Sequence, residues 1–201
     1  MKLYYVPQTR STRARWMLEE IGAPYELVRL DVARRQNREP AYLALNPLGQ
    51  VPTLVDGEAA IYETSAICMY LADKFPDKGL APPPGSLLRG PYYQWCVYGP
   101  ATIEPALVLY FEHHARLPEG ERVVWIAEKM RARLHDAFAG VARSLGEREF
   151  LVGDRFTTAD LLLGSVLGWA RISGTLGDFP SLEAYSKRML ARDAAKRARA
   201  D

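Results

Sequence analysis

The sequence predicts an α/β domain with a mixed four-stranded sheet, followed by an all-α domain. Strand and helix patterns alternate over about the first 75 residues, whereas the chain beyond residue 86 carries helical patterns alone. Between the two halves, "PDKGLAPPPGS" at 76–86 is rich in proline and glycine, a composition typical of linkers. We therefore expect a first domain over 1–76, a linker over 77–86 and a helical domain over 87–201.

The first three elements form a strand–helix–strand unit. "KLYYV" at 2–6 is a β-rich run that Pro7 ends, and "YELVRL" at 25–30 is a second one. In the intervening "STRARWMLEEIGAPYE", apolar residues recur at helical spacing, and Gly22 and Pro24 stand where a helix would stop. Such a unit implies a parallel pair of strands.

The stretch "GQVPTLVDGEAAIYETSA" at 49–66 predicts a β-hairpin followed at once by a helix. Its Asp-Gly pair is a favoured hairpin turn between two β-rich runs. Pro52 is unexpected inside the first run, because proline cannot donate to a strand ladder. The hairpin adds antiparallel pairing, so the sheet should be mixed, and the next helix is predicted over about 64–75.

The second half is predicted to be helical throughout. Four segments carry the pattern: 87–115, 119–145, 158–172 and 181–198. The third has the best defined start. Thr157 and Asp160 have the spacing of a capping box, and Phe156 and Leu161 occupy the two positions of a hydrophobic staple.

Composition excludes several classes of function. A net charge of +2 over 201 residues gives no reason to expect a nucleic acid partner. The densest basic run, "AAKRARAD" at 194–201, is interpreted as a frayed, solvated end, with a contact to acidic lipid or nucleic acid as the alternative. Cys68 and Cys96 lack CxxC spacing and the histidines form no metal motif, so no metal site is expected.

The setting is expected to be cytoplasmic. Two isolated cysteines fit a reducing compartment. The N-terminal residues lack the charged and apolar regions of a signal peptide, and no apolar run approaches the ~18 residues of a membrane span.

Two helix starts could carry chemistry. In "YVPQTRSTR", the dipole of the first helix and the charge of Arg10 favour an anion, and the hydroxyls of Thr9 and Ser11 could donate to a thiolate or an oxyanion. Simple helix capping is the alternative for both hydroxyls. In "ETSA", Glu63 and Thr64 could hold the ammonium and carboxylate groups of one ligand.

At these residues the chain resembles the glutathione transferase family, closest to its bacterial classes. The resemblance runs from Met1 to about Arg192, and its motifs are N-P-x-G-x-V-P, E-T-S-A-I and G-D-x-F-T-x-A-D. It implies that the first domain is thioredoxin-like and that the protein is an enzyme of detoxification. The implied reaction is attack of the glutathione thiolate on a small hydrophobic electrophile.

The resemblance also implies a glutathione site. Pro52 corresponds to a cis proline, and the backbone of Val51, beside Gln50, would pair with the cysteinyl part of glutathione. Glu63 would meet the α-ammonium group and Thr64 the α-carboxylate.

The glycyl carboxylate would be bound by a basic residue on or beside Arg35. Arg34 and Arg38 are its neighbours and stay open as alternatives.

The same resemblance bears on catalysis. Beta-class enzymes carry a cysteine where this chain has Arg10, and a polar Asn and His where it has Val97 and Glu104, which points away from mixed-disulfide chemistry. Classes that use serine place it at or next to Thr9. We therefore predict that Thr9 donates to the glutathione sulfur, with Ser11 as the second candidate, and that together with the helix end and Arg10 it lowers the thiol pKa by about one to three units.

The second substrate is expected between the two domains. Tyr98 and Trp169 are the candidate lining residues, although an aromatic stripe at helical spacing is also typical of a core. No metal or organic cofactor is implied, glutathione being a co-substrate, and the family is usually homodimeric. Two other readings stay open: a non-catalytic glutathione-binding or regulatory protein on the same fold, and a glutathione-dependent isomerase or dehalogenase.

Overall fold

A computed structural model describes residues 1–200, which form two compact units. The first contains residues 1–81 together with the segment that begins at Ala191. The second runs from Pro82 to Leu190. The C-terminal segment, which the sequence pattern assigned to the helical domain, therefore packs with the first unit.

The first unit contains a mixed sheet. Within residues 1–200 the sheet has four strands in the order β2-β1-β3-β4: β1 (Lys2–Tyr5), β2 (Glu26–Arg29), β3 (Thr53–Asp56) and β4 (Ala59–Tyr62). Strands β1 and β2 are parallel, whereas β1–β3 and β3–β4 are antiparallel. Together with the helical second unit, this arrangement confirms the predicted fold class.

The Val51-Pro52 peptide is cis, and both residues precede β3, which begins at Thr53. The expectation of a proline inside the strand is therefore wrong. Because Pro52 lies outside the ladder, its missing N–H costs the sheet no hydrogen bond.

The helices of the first unit are α1 (Ser11–Ile21), α2 (Pro40–Leu43), α3 (Thr64–Lys74) and α9 (Asp193–Ala198). Helix α1 ends as predicted at Gly22, whose φ of 71° is left-handed and whose N–H donates to the carbonyl of Leu18 at 2.9 Å. The predicted apolar stripe of α1 is buried, and α1 packs against α3. The core beneath them includes the fully buried register pair Leu3 and Leu54.

The C-terminal segment is docked and not solvated. Ala194, Ala195 and Ala198 are buried, and α9 packs on α1. Arg197 of the basic run donates from Nε to Glu19 at 2.7 Å. The interpretation of this run as a frayed, solvated end is therefore wrong. It considered only the charges of the run, and these do not reveal that its alanines form one buried helical face. Asp201 lies outside the described residues.

The second unit is helical. It contains α4 (Arg89–Tyr98), α5 (Glu104–Phe111), α6 (Val124–Leu145), α7 (Thr158–Ile172) and α8 (Pro180–Leu190). Wider π-helical turns at 99–103 and 112–116 join α4 to α5 and extend α5, so the predicted segment 87–115 is helical over nearly all its length. The helix predicted over 181–198 is instead broken between α8 and α9.

The capping box at the start of α7 forms as predicted. The Asp160 carboxylate accepts the N–H of Thr157 at 2.9 Å, that of Leu151 at 2.8 Å and the Tyr185 hydroxyl at 2.8 Å. Burial raises the pKa of Asp160 above its ordinary value, although these hydrogen bonds oppose the shift.

Within residues 1–200, no helix is both long and apolar enough to cross a bilayer. In the same part of the chain, no group of three or more His, Cys, Asp or Glu side chains lies close enough together to hold a metal ion.

Candidate active site

A cleft of about 320 Å³ lies in the first unit, where the loop after β1, the segment before β3 and the start of α3 meet. Its wall brings together most of the residues that the sequence singled out. The lining residues are Thr9, Arg10, Asn46, Leu48, Gln50, Val51, Pro52, Tyr62, Glu63 and Thr64.

Thr9 and Ser11 differ sharply in accessibility. Thr9 is exposed and lines the cleft, whereas Ser11 is fully buried. Their hydroxyl oxygens are 2.7 Å apart, and both contact the carbonyl oxygen of Val6, at 2.7 Å from Thr9 and 2.8 Å from Ser11. Of the two hydroxyl residues, Thr9 therefore lies at the surface of the cleft, and Ser11 is enclosed.

The start of α1 offers a ligand less than the sequence suggested. The Ser11 N–H donates to the Thr9 hydroxyl at 3.2 Å, and the N–H groups of Thr12 and Arg13 donate to backbone carbonyls at 3.1 Å each. These amides are thus occupied within the chain. The remaining features at this wall that favour an anion are the hydroxyl residue Thr9, the charge of Arg10 and the helix dipole.

The segment before β3 is held by side chains whose roles the sequence analysis missed. Tyr42 Oη donates to the Gln50 carbonyl at 2.5 Å and Asn46 Nδ2 donates to it at 2.9 Å. Both side chains also contact Thr53 Oγ1, at 2.8 and 3.2 Å. The three side chains are buried. They fix the peptide that enters Val51, and the asparagine of N-P-x-G-x-V-P was the sequence signal that could have revealed it.

Glu63 joins β4 to α3 with an unusual backbone conformation. Its φ of 72° and ψ of 115° are rare for a residue other than glycine. This conformation places a carboxylate and the first residue of α3, Thr64, on the same cleft wall. Acid and helix N-terminus are therefore adjacent, as a ligand with both an ammonium and a carboxylate group requires.

The three arginines between β2 and α2, Arg34, Arg35 and Arg38, have different environments. Arg35 is not among the residues that line the cleft, and Arg34 pairs with Asp31 at 3.5 Å. Arg38 Nη1 donates to the carbonyl of Leu48, a lining residue, at 3.1 Å. Of the three, Arg38 is thus the one bonded to the cleft wall.

Two lining residues carry large apolar side chains that the sequence analysis did not single out. Leu48 is 52 % exposed and Tyr62 is 39 % exposed. Nothing in their local patterns distinguishes them from ordinary surface residues.

Tyr98 and Trp169 belong to the helical unit, on α4 and α7. Tyr98 packs edge-on against Trp95, with 5.3 Å between ring centroids. Tyr98 and Trp169 are both half-buried, so each has surface that a ligand could contact.

Neither cysteine is suited to be a nucleophile. Cys68 and Cys96 are fully buried and do not line the cleft. Burial raises the pKa of the Cys68 thiol to about 12, with the charge of Arg13 opposing the shift. A nucleophilic sulfur at this cleft must therefore come from a bound ligand.

Comparisons with known proteins identify the family of the chain. Residues 1–73 match the family model for the glutathione S-transferase N-terminal domain, and residues 99–193 match that for its C-terminal domain. The chain is 33 % identical over 192 residues to glutathione S-transferase GST-4.5 of Xanthomonas campestris pv. campestris, covering 95 % of this chain and 93 % of that one.

Two further matches span nearly the whole chain. Glutathione S-transferase GstA of Escherichia coli O157:H7 is 31 % identical over 195 residues, covering 96 % of this chain and 94 % of that one. The structure of a sphingomonad glutathione S-transferase complexed with glutathione superposes with a TM-score of 0.85 at 30 % identity, covering 100 % of this chain and 98 % of that one. The chain therefore belongs to the glutathione S-transferase family and is a glutathione transferase.

Proposed function

We propose that the cleft binds glutathione and that the Thr9 hydroxyl stabilises its thiolate for attack on a small hydrophobic electrophile. The observation that carries this proposal is that Thr9 is an exposed residue on the cleft wall whose hydroxyl is bonded to the buried Ser11. Arg10 stands where the beta class has its cysteine and cannot form a mixed disulfide. Its charge favours the thiolate.

The expected stabilisation is sufficient for catalysis at neutral pH. A hydrogen bond to a charged acceptor contributes ~1.5–3 kcal/mol, and one pKa unit corresponds to ~1.36 kcal/mol. Thr9 alone would therefore lower an ordinary thiol pKa of about 8.5 by about one to two units. Because the first amides of α1 are occupied within the chain, we expect the thiol pKa to be lowered by an amount in the lower part of the range of about one to three units that the sequence suggested.

The rest of the wall suits the tripeptide. Glu63 would pair with the α-ammonium group and Thr64, at the start of α3, with the α-carboxylate. Val51, between Gln50 and the cis Pro52, would pair through its backbone with the cysteinyl residue. For the glycyl carboxylate we propose Arg38 in place of Arg35, because its guanidinium is bonded to the cleft wall.

The electrophile should meet the sulfur beside aromatic side chains. We propose Tyr98 and Trp169 as lining residues of its pocket, and Leu48 and Tyr62 as apolar residues at the glutathione cleft. Analysis of the products formed from a panel of electrophiles separates conjugation from isomerisation and dehalogenation. Each of these uses the same thiolate.

We also propose that the enzyme is a homodimer, and light scattering in solution tests this. Cys68 and Cys96 are buried and form no disulfide within residues 1–200, which suits a reducing compartment such as the cytoplasm.

The Thr9→Ala variant tests the catalytic assignment. We expect the thiol pKa of bound glutathione, followed by thiolate absorbance in the ultraviolet, to rise by about one to two units. The conjugation rate at neutral pH should fall by about tenfold or more. Thr9→Ser should retain the wild-type profile, and Thr12→Ala is the matched control on α1. An unchanged thiol pKa in Thr9→Ala would show that Thr9 does not contact the sulfur.

A further inference from the structure

The buried hydroxyl of Ser11 is joined to Thr9 and to one backbone residue, Val6. The Val6 N–H donates to Ser11 Oγ at 3.1 Å, and the Ser11 N–H donates to Thr9 Oγ1 at 3.2 Å. The Thr9 and Ser11 hydroxyl oxygens and the Val6 carbonyl oxygen lie within 2.8 Å of one another in every pair. The directions of the two amide bonds are fixed, whereas the two hydroxyl protons can rotate.

The proton count of this cluster limits its arrangements. Three oxygen–oxygen contacts exist among Val6, Thr9 and Ser11, but the two hydroxyls supply only two protons. One contact is therefore always without a proton. When the Thr9 hydroxyl donates to a ligand in the cleft, the Ser11 hydroxyl has two possible acceptors, the Val6 carbonyl and Thr9 Oγ1.

A thiolate bound to Thr9 makes Thr9 Oγ1 the better of the two acceptors. A hydroxyl that donates to an anion becomes a stronger acceptor, because hydrogen bonds in a chain polarise one another. The Ser11 proton then favours Thr9 Oγ1, which already accepts the Ser11 N–H. A hydroxyl oxygen has two acceptor positions and one proton. With both acceptor positions of Thr9 filled by Ser11, its hydroxyl can only donate.

We propose that Ser11 is a positioning residue that holds Thr9 as a hydrogen-bond donor to a bound thiolate, so that the site selects the thiolate of glutathione over the thiol. A thiol can offer its S–H proton to Thr9 Oγ1 only while the Ser11 proton is directed to the Val6 carbonyl, which forfeits the Ser11–Thr9 hydrogen bond. Without the Ser11 hydroxyl, one position opens and the protonated thiol gains a partner. This inference rests on the proposed role of Thr9 at the sulfur.

Ser11→Ala tests the proposal through the ionisation of the bound thiol. Glutathione should bind wild-type protein more tightly at pH 8 than at pH 5.5, because a bound thiol pKa below the free value favours the ionised ligand. In Ser11→Ala the bound thiol pKa should rise by about one unit, so the ratio of the affinities at pH 8 and pH 5.5 should fall by about three- to sevenfold.

S-methylglutathione is the control ligand, because it has no S–H and cannot ionise. Its affinity should differ by less than about twofold between wild type and Ser11→Ala at both pH values. If Ser11→Ala instead weakens glutathione and S-methylglutathione equally at both pH values, Ser11 is merely structural and the proposal is wrong. Ser11→Thr, which keeps the hydroxyl, should restore the pH preference.

Thr9→Ala, measured alongside, separates this inference from the proposed function. If neither variant changes the thiol pKa, Thr9 is not at the sulfur and both fail. If Thr9→Ala raises it and Ser11→Ala does not, the role of Ser11 alone is refuted.

Ser11→Ala also removes the acceptor of the Val6 N–H and could fail to fold. In that case, the affinities of wild type and Thr9→Ala for glutathione at pH 5.5 still test the proposal. If Thr9 acts as a donor, its hydroxyl contributes little to the binding of protonated glutathione, so the affinities of wild type and Thr9→Ala at this pH should agree within about threefold. A larger loss in Thr9→Ala would show that Thr9 accepts the S–H proton and would overturn the proposal.

Discussion

The guanidinium of Arg192 forms two hydrogen bonds with the carboxylate of Glu20, at 2.6 and 2.9 Å, and so joins residues 172 positions apart in the sequence. The Glu20 side chain is only 9 % exposed and also accepts the Trp16 indole N–H at 2.8 Å. This pair attaches the C-terminal segment to α1, the helix whose start carries Thr9 and Ser11. The geometry is bidentate, the stronger form of an arginine–carboxylate contact.

Arg192→Ala should lower the free energy of unfolding by about 2 kcal/mol, because it leaves a mostly buried carboxylate with fewer donors. The value is below that of a fully buried pair, since Arg192 is partly exposed. Urea unfolding measures it. Lys196→Ala removes an exposed pair with Asp193 on the same segment and should change stability by less than about 0.5 kcal/mol. Equal losses in the two variants would contradict the special role of Arg192.

The ion pair between Arg197 and Glu19, which also holds the C-terminal segment on α1, predicts that stability depends on pH. Burial tends to raise the pKa of Glu19, but hydrogen bonds from Arg197 and Tyr25 and the charge of Arg197 outweigh it, so the net pKa lies below the ordinary 4.5. A carboxyl whose pKa is depressed by folding stabilises the protein above its unfolded pKa, and this contribution disappears as the pH falls through the folded value.

Arg197→Ala should therefore melt at a lower temperature than wild type at pH 7, and the difference should shrink as the pH is lowered below about 4. Thermal unfolding between pH 3 and 7 checks this. A difference in melting temperature that stays constant over that range would mean that Glu19 is not the partner responsible.

Glu63 is predicted to bind the α-ammonium group of glutathione. Glu63→Gln should raise the dissociation constant about 10- to 100-fold, as expected for a lost charge-assisted hydrogen bond of ~1.5–3 kcal/mol. An analogue of glutathione without the α-amino group should bind the variant and wild type with equal affinity. Glu58→Gln, an exposed position in the same hairpin, is the control and should have no effect. Discrimination against the analogue that survives in Glu63→Gln would disprove the assignment.

Arg38 is predicted to bind the glycyl carboxylate. Arg38→Ala should weaken glutathione about 5- to 10-fold and leave γ-glutamylcysteine, which lacks the glycine, unaffected. Arg35→Ala should change neither, because Arg35 does not line the cleft. Calorimetric titration of both ligands into both variants measures this, and a selective loss in Arg35→Ala would reverse the assignment.

Tyr42 is predicted to act through the backbone that it holds. Tyr42→Phe removes the hydroxyl that donates to the Gln50 carbonyl, although Asn46 still donates to it. We expect KM for glutathione to rise about fivefold while kcat changes less than about twofold, because the Val51 peptide is misplaced and the thiolate is not. Tyr70→Phe, which loses a hydroxyl bonded to Asp56, is the matched control. A fall in kcat at unchanged KM would exclude a positioning role.

Features encoded by neighbouring residues could be predicted from the sequence. The hairpin forms where it was predicted, although its turn residues are Gly57 and Glu58, one position later than the Asp-Gly pair, because Asp56 still pairs with Ala59. Like the capping box of Thr157 and Asp160, it depends on residues a few positions apart. The end of α1 at Gly22 depends on the freedom of glycine to adopt a positive φ. Local chemistry dictates these features, and tertiary packing does not override them.

Burial at the site was not predictable in the same way. Thr9 and Ser11 carry similar hydroxyls two positions apart, and no pattern shows that one faces the cleft while the other is enclosed. The fold determines this, because β1 and α1 together bury Ser11 against Val6. Likewise the Gln50 carbonyl meets Tyr42 only through contacts across the loop.

The sequence by itself determined the order of the four strands, the starts of α1, α3 and α7 and the family motifs, because each is written in short stretches of chain. The tertiary structure decided which hydroxyl is accessible, which arginine reaches the cleft wall and where the C-terminal segment docks. The alanine face of α9 is buried only because α1 packs against it, and Arg192 forms its bidentate contact only because the fold brings Glu20 to it. Long-range contacts settle such features, since their energy depends on burial that no local pattern specifies.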